Sequence, residues 1–429
     1  RIVKTLVSTQ SAKSVTSLGY RLESARGQYE SILRPMHLLR VGAIDRVNIL
    51  KGKNRDIAWI AKTTSDVFNS SGTSLAFVNS DGTIDDFKSS NWSSVFTSIA
   101  PVNGFSFDGI GFYASSTPQI HGVYNNIDGN GHPKFSNTIL TSPYPLVSKH
   151  KTVFSWTHDD RTYVVLTCAT DGNAAGENDK TLFMELTNVN WQVELSGLAS
   201  IPVRFDSTLA FNEKNGIGYI VGFDAYGNQV NALTLHPDGT FYIYNSPMGI
   251  ENPIALSDCY HLNIDDMDLF VVNALSNGPF SNNRAYKALY DESGNMAIAQ
   301  VPFEANGEPI ETMFGESTLA NGAPYVYENV LYIAYSLALS NIIKIVRPEW
   351  TGTSLQLTEE YLLYQKNTGF LTKYSVNDRD YLVSAPASLF ASHYDNASVF
   401  EIGSRRAEVD VMVTGVRDSM LHNPIVEIE

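Results

Sequence analysis

The sequence predicts an all-β fold, a single β-propeller of about seven four-stranded blades with an N-terminal arm. Three observations favour it. Predicted strands are short, turn signals arrive about every 8–12 residues, and no long helical period interrupts them. One hairpin phrase recurs along the chain, and glycine-centred turns return at the spacing of a blade. Tandem β-sandwiches are the competing architecture, because they share the strand spacing.

The recurring phrase is an apolar strand, a polar turn containing glycine, and a second strand. It reads LAFVNSDGTI at residues 75–84 and LTLHPDGTFY at residues 233–242, with looser copies at 288–296 and 219–228. Gly and Asn tolerate the positive φ that a tight hairpin turn needs. The phrase therefore predicts repeated β-hairpins.

The predicted strands run from residue 57 almost to the C-terminus. They cover residues 57–62, 74–79, 109–115, 152–157, 162–169, 181–186, 207–212, 218–223, 229–235, 240–245, 269–273, 284–290, 296–301, 330–336, 341–346, 371–375, 381–385, 398–402, 408–415 and 425–428. The spacing of the turn glycines divides this region into seven segments of blade size. No named repeat signature accompanies the spacing.

We divide the chain into a basic arm or adaptor (1–45), a propeller (46–416) and a C-terminal closing strand (417–429). Residues 2–7 alternate like a strand, and residues 20–33 have helix-compatible spacing that Pro35 ends. Because a propeller must close its ring, we expect the strands at 408–415 and 425–428 to pair with residues 2–7 or with strands after Asp45.

The composition is typical of a β-rich extracellular or virion protein. Hydrophobic residues make up 43% of the chain and aromatic residues 11%, but charged residues only 17%, below the usual quarter. No apolar run is long enough for a transmembrane helix. With two cysteines, Cys168 and Cys259, we favour buried thiols over a single inter-sheet bridge.

Charge is divided unevenly along the chain. The net charge is −15, yet residues 1–55 hold eleven basic and three acidic side chains, which leaves −23 on residues 56–429. An acidic body argues against nucleic acid as a partner. The basic segment 1–55 could rest on the protein's own acidic body or dock into an acidic neighbouring subunit, and the second alternative predicts a protein partner in a larger assembly. Its candidate partner-binding residues are Arg21, Arg26, Arg34 and Arg40.

The sharpest local motif is the NIDGNG sequence of residues 126–131. It places the side-chain oxygens of Asn126, Asp128 and Asn130 at alternate positions before a glycine, as calcium loops do. The distal acidic ligand of such a loop is missing, because its position is occupied by Asn137. Calcium is therefore the one candidate cofactor, and an ordinary Asn/Asp–Gly turn is the favoured interpretation.

No catalytic signature stands out, so we assign no catalytic residue. Asp159-Asp160 and the DDMD sequence at 265–268 indicate acidic turns between strands. A glycosidase needs two carboxyl groups facing each other across a sugar. Carboxylates near predicted strand ends could supply such a pair, and these are Asp108, Asp206, Asp258, Glu316 and Glu328.

The chain has several distinctive traits. They are divergent blades, abundant Ser, Asn, Thr and Tyr, an acidic body, few cysteines and a terminal segment suited to anchoring. In these traits the chain resembles the virion- and tail-associated β-propellers of tailed bacteriophages. The resemblance implies a non-enzymatic binding or assembly protein on a virion or outside a cell. Such a protein would attach to a protein or glycan receptor. It rests on no motif and assigns no residue. The alternatives are a secreted glycan-active hydrolase or lyase, and a lectin.

Overall fold

The computed structural model describes part of the 429-residue chain, and the structural statements concern that part. The described residues are 33–39, 44–50, 56–62, 72–84, 104–107, 110–114, 120–127, 133–147, 150–168, 176–189, 192–205, 209–224, 229–247, 253–276, 282–310, 320–327, 329–337, 342–364, 370–377, 379–385, 397–402, 411–413 and 426–428. Within these ranges the regular structure is entirely β, which confirms the predicted class.

Twelve strands precede residue 202. They are β1 (Leu33–Leu39), β2 (Ile44–Leu50), β3 (Ile57–Lys62), β4 (Gly72–Phe77), β5 (Gly104–Phe107), β6 (Ile110–Ala114), β7 (Ile120–Ile127), β8 (Pro133–Leu140), β9 (His150–His158), β10 (Arg161–Cys168), β11 (Thr181–Val189) and β12 (Gln192–Ile201).

Nineteen strands follow in the remaining described residues. They are β13 (Leu209–Lys214), β14 (Ile217–Asp224), β15 (Gln229–Leu235), β16 (Phe241–Pro247), β17 (Pro253–Ile264), β18 (Met267–Ser276), β19 (Asn282–Tyr290), β20 (Met296–Val301), β21 (Phe303–Ala305), β22 (Glu308–Pro309), β23 (Ala320–Tyr327), β24 (Val330–Leu337), β25 (Ile342–Trp350), β26 (Leu355–Tyr364), β27 (Phe370–Val376), β28 (Arg379–Ala385), β29 (Ala397–Ile402), β30 (Val411–Val413) and β31 (Val426–Ile428).

The strands form antiparallel meanders in a propeller arrangement. Five sheets are four-stranded: β5–β8, β9–β12, β13–β16, β17–β20, and β27–β29 with β1. The described residues thus form five four-stranded blades and not the expected seven. Strands β2–β4 make a three-stranded sheet. Strands β21–β26 make a six-stranded one, in which β21 adds in parallel to β26, a pairing that turn spacing does not reveal.

Apolar side chains cover both faces of the central sheets. In β18, Phe270 packs towards the β13–β16 sheet. The next residue, Val271, packs towards the six-stranded sheet. Successive residues of a strand point to opposite faces, so both faces of this sheet are buried. A two-sheet sandwich buries only one face of each sheet, and this burial therefore favours the propeller over tandem sandwiches.

The first described strand joins a late strand of the chain in one sheet. Strand β1 pairs antiparallel with β29, with Leu33 opposite Ile402 and Leu39 opposite Ala397. Residues 33–39 of the expected arm are thus a blade strand. Among the described residues, the C-terminal strands β30 and β31 pair with each other, and their expected pairing with early strands stays a prediction. Residues 2–7 and the helix-compatible residues 20–32 lie outside the described residues. Pairing partners are chosen by tertiary proximity, which strand patterns do not encode.

Tight turns connect the paired strands as the sequence predicted. The β9–β10 turn places Asp159 and Asp160 at φ 48° and 58°. The β17–β18 turn places Asp265 and Asp266 at φ 51° and 60°. Two consecutive positive φ values define a type I′ turn, whose twist matches the flanking strands. These carboxylates therefore serve turn geometry, as the sequence indicated.

The recurring phrase is one turn built three times. In the first copy the Asn79 amide donates to the Thr83 oxygen at 2.8 Å, and the Gly82 amide to the Asn79 oxygen at 2.9 Å. Two further copies make the same pair of backbone hydrogen bonds, at 236–240 and 291–295. In the first copy Asp81 Oδ1 accepts from the amide and the hydroxyl of Thr83. The predicted hairpin interpretation of these three copies is confirmed.

Both cysteines are buried and neither forms a disulfide. The preferred interpretation of two buried thiols is confirmed. In the described part of the chain, no helix is both long and apolar enough to cross a membrane.

Candidate functional site

The predicted calcium residues fall mostly outside the described residues. Asn126 belongs to β7, where it pairs with Lys134 of β8. Asp128 and Asn130 follow the end of that strand, beyond the described residues. Elsewhere in the described chain, no group of three or more His, Cys, Asp or Glu side chains could hold a metal ion. The calcium loop stays a prediction.

The predicted partner-binding arginines are placed at one position only. Arg34 lies in β1, opposite Glu401 of β29 in the strand register. Arg21, Arg26 and Arg40 lie outside the described residues. Of the carboxylates proposed for a glycosidase pair, Asp258 lies in β17, and the other four lie outside the described residues. None of these expectations is tested by the described structure.

A cavity lies between the β9–β12 and β13–β16 sheets, at the strand ends opposite the type I′ turns. Its volume is about 440 Å³, within the range of small-molecule sites, about 300–1,000 Å³. Two segments, 176–180 and 202–204, supply one wall, and the strands β14–β16 supply the other. The lining residues are Gly176, Glu177, Asp179, Lys180, Pro202, Val203, Arg204, Asp224, Gln229, Asn231, Ile243 and Asn245.

A buried ion pair lies in this cavity. Arg204 Nη2 is 3.5 Å from Asp224 Oδ2, and the two side chains are only 10% and 6% exposed. Asp224 ends β14, and Arg204 belongs to the segment between β12 and β13. Each of the two buried charges is thus paired with an opposite charge, as buried charges require. The pair links the β12–β13 segment to the end of β14 at the cavity.

Asn231 of β15 is the most deeply buried polar residue of the lining, at 1% exposure. Its Nδ2 donates to the Arg204 main-chain oxygen at 2.9 Å. Its Oδ1 is buried and accepts no hydrogen bond from any described residue. A buried acceptor without a donor costs about 1–3 kcal/mol. The Asn231 side-chain amide therefore holds the Arg204 segment at the wall of the cavity.

The 176–180 wall is held from within its own sheet. The Gly176 amide donates to Asp179 Oδ2 at 2.8 Å. His150, 2% exposed, accepts from the Val147 amide with Nδ1 and lies with Nε2 2.6 Å from the Lys180 oxygen. Burial lowers the pKa of His150, and the Asp179 charge opposes that shift. A neutral imidazole suits both bonds, since Nδ1 accepts and Nε2–H donates.

A second cluster surrounds Asp268 at the junction of the β13–β16 and β17–β20 sheets. Its Oδ1 accepts from His261 Nε2 at 2.9 Å and from Asn263 Nδ2 at 3.0 Å. Its Oδ2 accepts from the Tyr290 hydroxyl at 2.8 Å, and Lys214 Nζ is 3.7 Å away. Burial alone would raise the pKa of Asp268, but these hydrogen bonds outweigh it and hold that pKa well below its usual range.

The two clusters have different chemical uses. Asp268 is surrounded by donors from its own protein, so it is a fully engaged structural carboxylate. Burial and the bond to Asp268 raise the pKa of Tyr290, whose hydroxyl therefore remains a donor. The lining of the cavity instead includes amide side chains and a paired cation. The cavity is the better candidate for a ligand site.

The sequence analysis missed the cavity residues, although one of its own signals applied to them. Asp179 precedes β11 and Asp224 ends β14, so both are strand-end carboxylates like the five that we proposed. Strand-end position alone could not separate them from the 45 acidic residues of the chain. Only the packing of two sheets places them in one cavity.

No protein-family model and no curated protein matches the chain. Among solved structures, the Dos1 propeller is similar with a TM-score of 0.46 at 8% identity, covering 89% of this chain and 98% of that one. A Lactobacillus plantarum protein has a TM-score of 0.43 at 11% identity, covering 75% and 86%. A GH43_1 enzyme from Xanthomonas citri has 0.37 at 10% identity, covering 90% and 94%. Likenesses this weak carry no argument about function.

Proposed function

We propose that the chain is a non-enzymatic binding or assembly protein that uses its propeller to attach a partner or receptor. The observation that carries the proposal is the cavity between the β9–β12 and β13–β16 sheets. Its buried charges, Arg204 and Asp224, are paired within the protein. A lining of amides and paired charges supports recognition by hydrogen bonds.

The construction of the propeller supports a binding role because it fixes neighbouring sheets relative to each other. Trp156 donates from Nε1 to the Gly216 oxygen of the next sheet at 2.9 Å. Tyr219 donates to the Gly294 oxygen of the following sheet at 3.0 Å. A preorganised site loses less entropy when a ligand binds, and such bonds between sheets supply that rigidity.

We further propose a virion or extracellular location, with the basic residues 1–55 docking onto an acidic protein partner. The opposite charges of this segment and of residues 56–429 support the idea, since such a segment favours an acidic neighbour. Because β1 (Leu33–Leu39) is a blade strand, attachment must be tested with a deletion that spares it. A chain lacking residues 1–32 should fold yet lose attachment to its native particle, measured by co-sedimentation.

The matched control for that deletion keeps the length and changes the charge. Arg21→Glu and Arg26→Glu together should weaken attachment as the deletion does. Glutamine at both positions should have an intermediate effect, because it removes charge without reversing it. Full attachment of the deleted chain would overturn the assembly proposal.

Binding itself is tested with the purified full chain on a glycan array and on immobilised host-surface extract. We expect retention on a defined ligand without release of reducing sugar from it. Steady release of reducing ends would instead favour the glycan-active hydrolase, and Asp179 and Asp224, both buried in the cavity, would be the carboxylates to replace by asparagine.

A further inference from the structure

Two tight turns of the described chain have the same sequence and nearly the same backbone but different surroundings. Asn215-Gly216 joins β13 to β14, and Asn306-Gly307 joins β21 to β22. The two asparagines have φ values of 55° and 52°, and both glycines have a φ of 82°. Each pair is thus a two-residue type I′ turn, for which Asn-Gly is a preferred sequence. Their surroundings therefore decide how differently the two pairs behave.

An Asn-Gly pair can react with itself, because glycine has no Cβ that hinders its main-chain nitrogen. That nitrogen loses its proton and bonds to the asparagine Cγ, and the Cγ–Nδ2 bond breaks with release of ammonia. Water then opens the resulting five-membered succinimide at either carbonyl, which leaves aspartate or isoaspartate. The turn must rotate to bring the nitrogen to Cγ, and the glycine N–H must first give up its hydrogen bond.

The Asn215-Gly216 turn is held against such a rotation. The Gly216 amide donates to Glu213 Oε1 at 2.6 Å, and the Gly216 oxygen accepts from Trp156 Nε1 at 2.9 Å. Gly216 is buried, and a Cβ added to it would lie 2.3 Å from the His158 ring. A hydrogen bond to a charged group is among the stronger ones, so the Gly216 nitrogen keeps its proton and its position.

The Asn306-Gly307 turn is open where the first turn is held. Both of its residues are exposed, and a Cβ added to Gly307 would have no described neighbour within 4 Å. Among the described residues, the Gly307 amide reaches one acceptor, Gln356 Oε1, at 3.4 Å and at the exposed surface. A neutral, exposed hydrogen bond of this length is weak. The Gly307 nitrogen can therefore lose it, and the turn has room to rotate.

We infer that Asn306 is a site of spontaneous deamidation, at which the chain converts this side chain to aspartate and isoaspartate with water as the co-reactant. Isoaspartate adds a carbon to the main chain, which a two-residue type I′ turn cannot hold in register. The new carboxylate also lies between Glu304 and Glu308 in the sequence of the same hairpin. Both changes should loosen β21 and β22 from β26, where the Leu355 amide donates to the Pro302 oxygen at 2.9 Å.

The test is to incubate the purified full chain at mildly alkaline pH and to follow both turns by peptide mapping with mass spectrometry. Deamidation at Asn306 should be at least about tenfold faster than at Asn215, because the Gly216 bond to a charged carboxylate must break first. The chain unfolded in urea is the matched control, since the two pairs should then react at similar rates. Equal rates in the folded chain would overturn the inference, and so would a difference that persists in urea.

Two variants test the physical reasons separately. Glu213→Ala removes the acceptor of the Gly216 amide and should speed deamidation at Asn215. An unchanged rate there would overturn the protective role of that bond. Asn306→Asp adds the charge without lengthening the main chain, so hydrogen exchange at the Leu355 amide should be fastest in aged wild-type chain that contains isoaspartate. Exchange as slow as in fresh wild type would overturn the loosening of the hairpin.

Discussion

Tyr381 donates a hydrogen bond from its hydroxyl to the main-chain oxygen of Asp81 at 2.9 Å, across 300 residues of sequence. Tyr374, stacked on Tyr381 with ring centroids 5.0 Å apart, donates to the Gly82 oxygen at 2.8 Å. The two rings hold the turn after β4 against the β27–β28 hairpin. The ends of the propeller are thus joined twice, by these tyrosines and by the β1–β29 pairing.

Replacement of Gly82 should destabilise the protein through two effects. Its φ is +83°, and an added Cβ would lie 1.9 Å from the Tyr381 ring. Gly307 has φ +82° with open space around it, so Gly307→Ala isolates the backbone effect, about 1–2 kcal/mol. Gly82→Ala should lower the free energy of unfolding by at least about 2 kcal/mol more than this control does. Urea unfolding measures both, and equal costs would contradict the close packing.

Tyr374→Phe should lower the free energy of unfolding by about 1 kcal/mol, because the buried Gly82 oxygen loses its donor. Tyr381→Phe should cost less, since the bond that it removes is only partly buried. Tyr286→Phe is the matched control, because the Tyr286 hydroxyl is buried and bonded to no described residue. That control should be neutral or stabilising in the same urea titrations. A larger loss in Tyr286→Phe than in Tyr374→Phe would refute the role of the bond.

Asp268→Asn should lower the free energy of unfolding by about 3 kcal/mol at neutral pH. The substitution removes the buried charge, so the donors around it lose their charge-assisted hydrogen bonds. Asp266→Asn is the control. Asp266 is an exposed turn residue, and asparagine also tolerates the positive φ of that position. We expect that control to change stability little. Chemical unfolding of the two variants at pH 7 provides the measurement.

The stabilisation from Asp268 should depend on pH in a defined direction. Its pKa is held below its usual range in the folded protein, so its contribution is present above the unfolded value of about 3.9 and is lost as pH falls below that value. The stability difference between wild type and Asp268→Asn should therefore shrink below about pH 4. A difference that stays constant from pH 7 to pH 3 would contradict the lowered pKa.

His150 should make stability fall on mild acidification. Burial lowers its pKa in the folded protein, so its unfavourable protonation begins as pH falls below the unfolded value of about 6.5. The free energy of unfolding should decrease between about pH 6.5 and 5, by at most about 1.4 kcal/mol per pH unit. His150→Gln should flatten that slope, whereas His236→Gln should retain it. Denaturant titrations at each pH test this, and an unchanged slope in His150→Gln would exclude His150 as its source.

Much of the local structure followed from the sequence because turn chemistry is local. Asp159-Asp160 and the Asp–Gly–Thr turns were predictable, since few residues tolerate the positive φ that such turns need. The strand count per sheet was not predictable in the same way. Strand β21 adds to β26 across some fifty residues, and no turn signal marks that pairing.

The candidate site shows the same division. The NIDGNG sequence at 126–131 could be predicted as a candidate calcium loop because its oxygen-bearing side chains are close together in sequence. Arg204, Asp224 and Asn231 carry no such pattern, and each resembles many other polar residues of the chain. They became a site only when the β12–β13 segment packed against β14 and β15.

By itself, the sequence determined the all-β class, the hairpin turns and the burial of Cys168 and Cys259, because these depend on backbone preference and on residue polarity. The tertiary structure decided that β1 closes a blade with β29, that Tyr381 reaches Asp81, and that Asp268 is a buried carboxylate with its own donors. Those outcomes depend on which surfaces meet in three dimensions, and a single sequence carries no local signal for contacts between residues hundreds of positions apart.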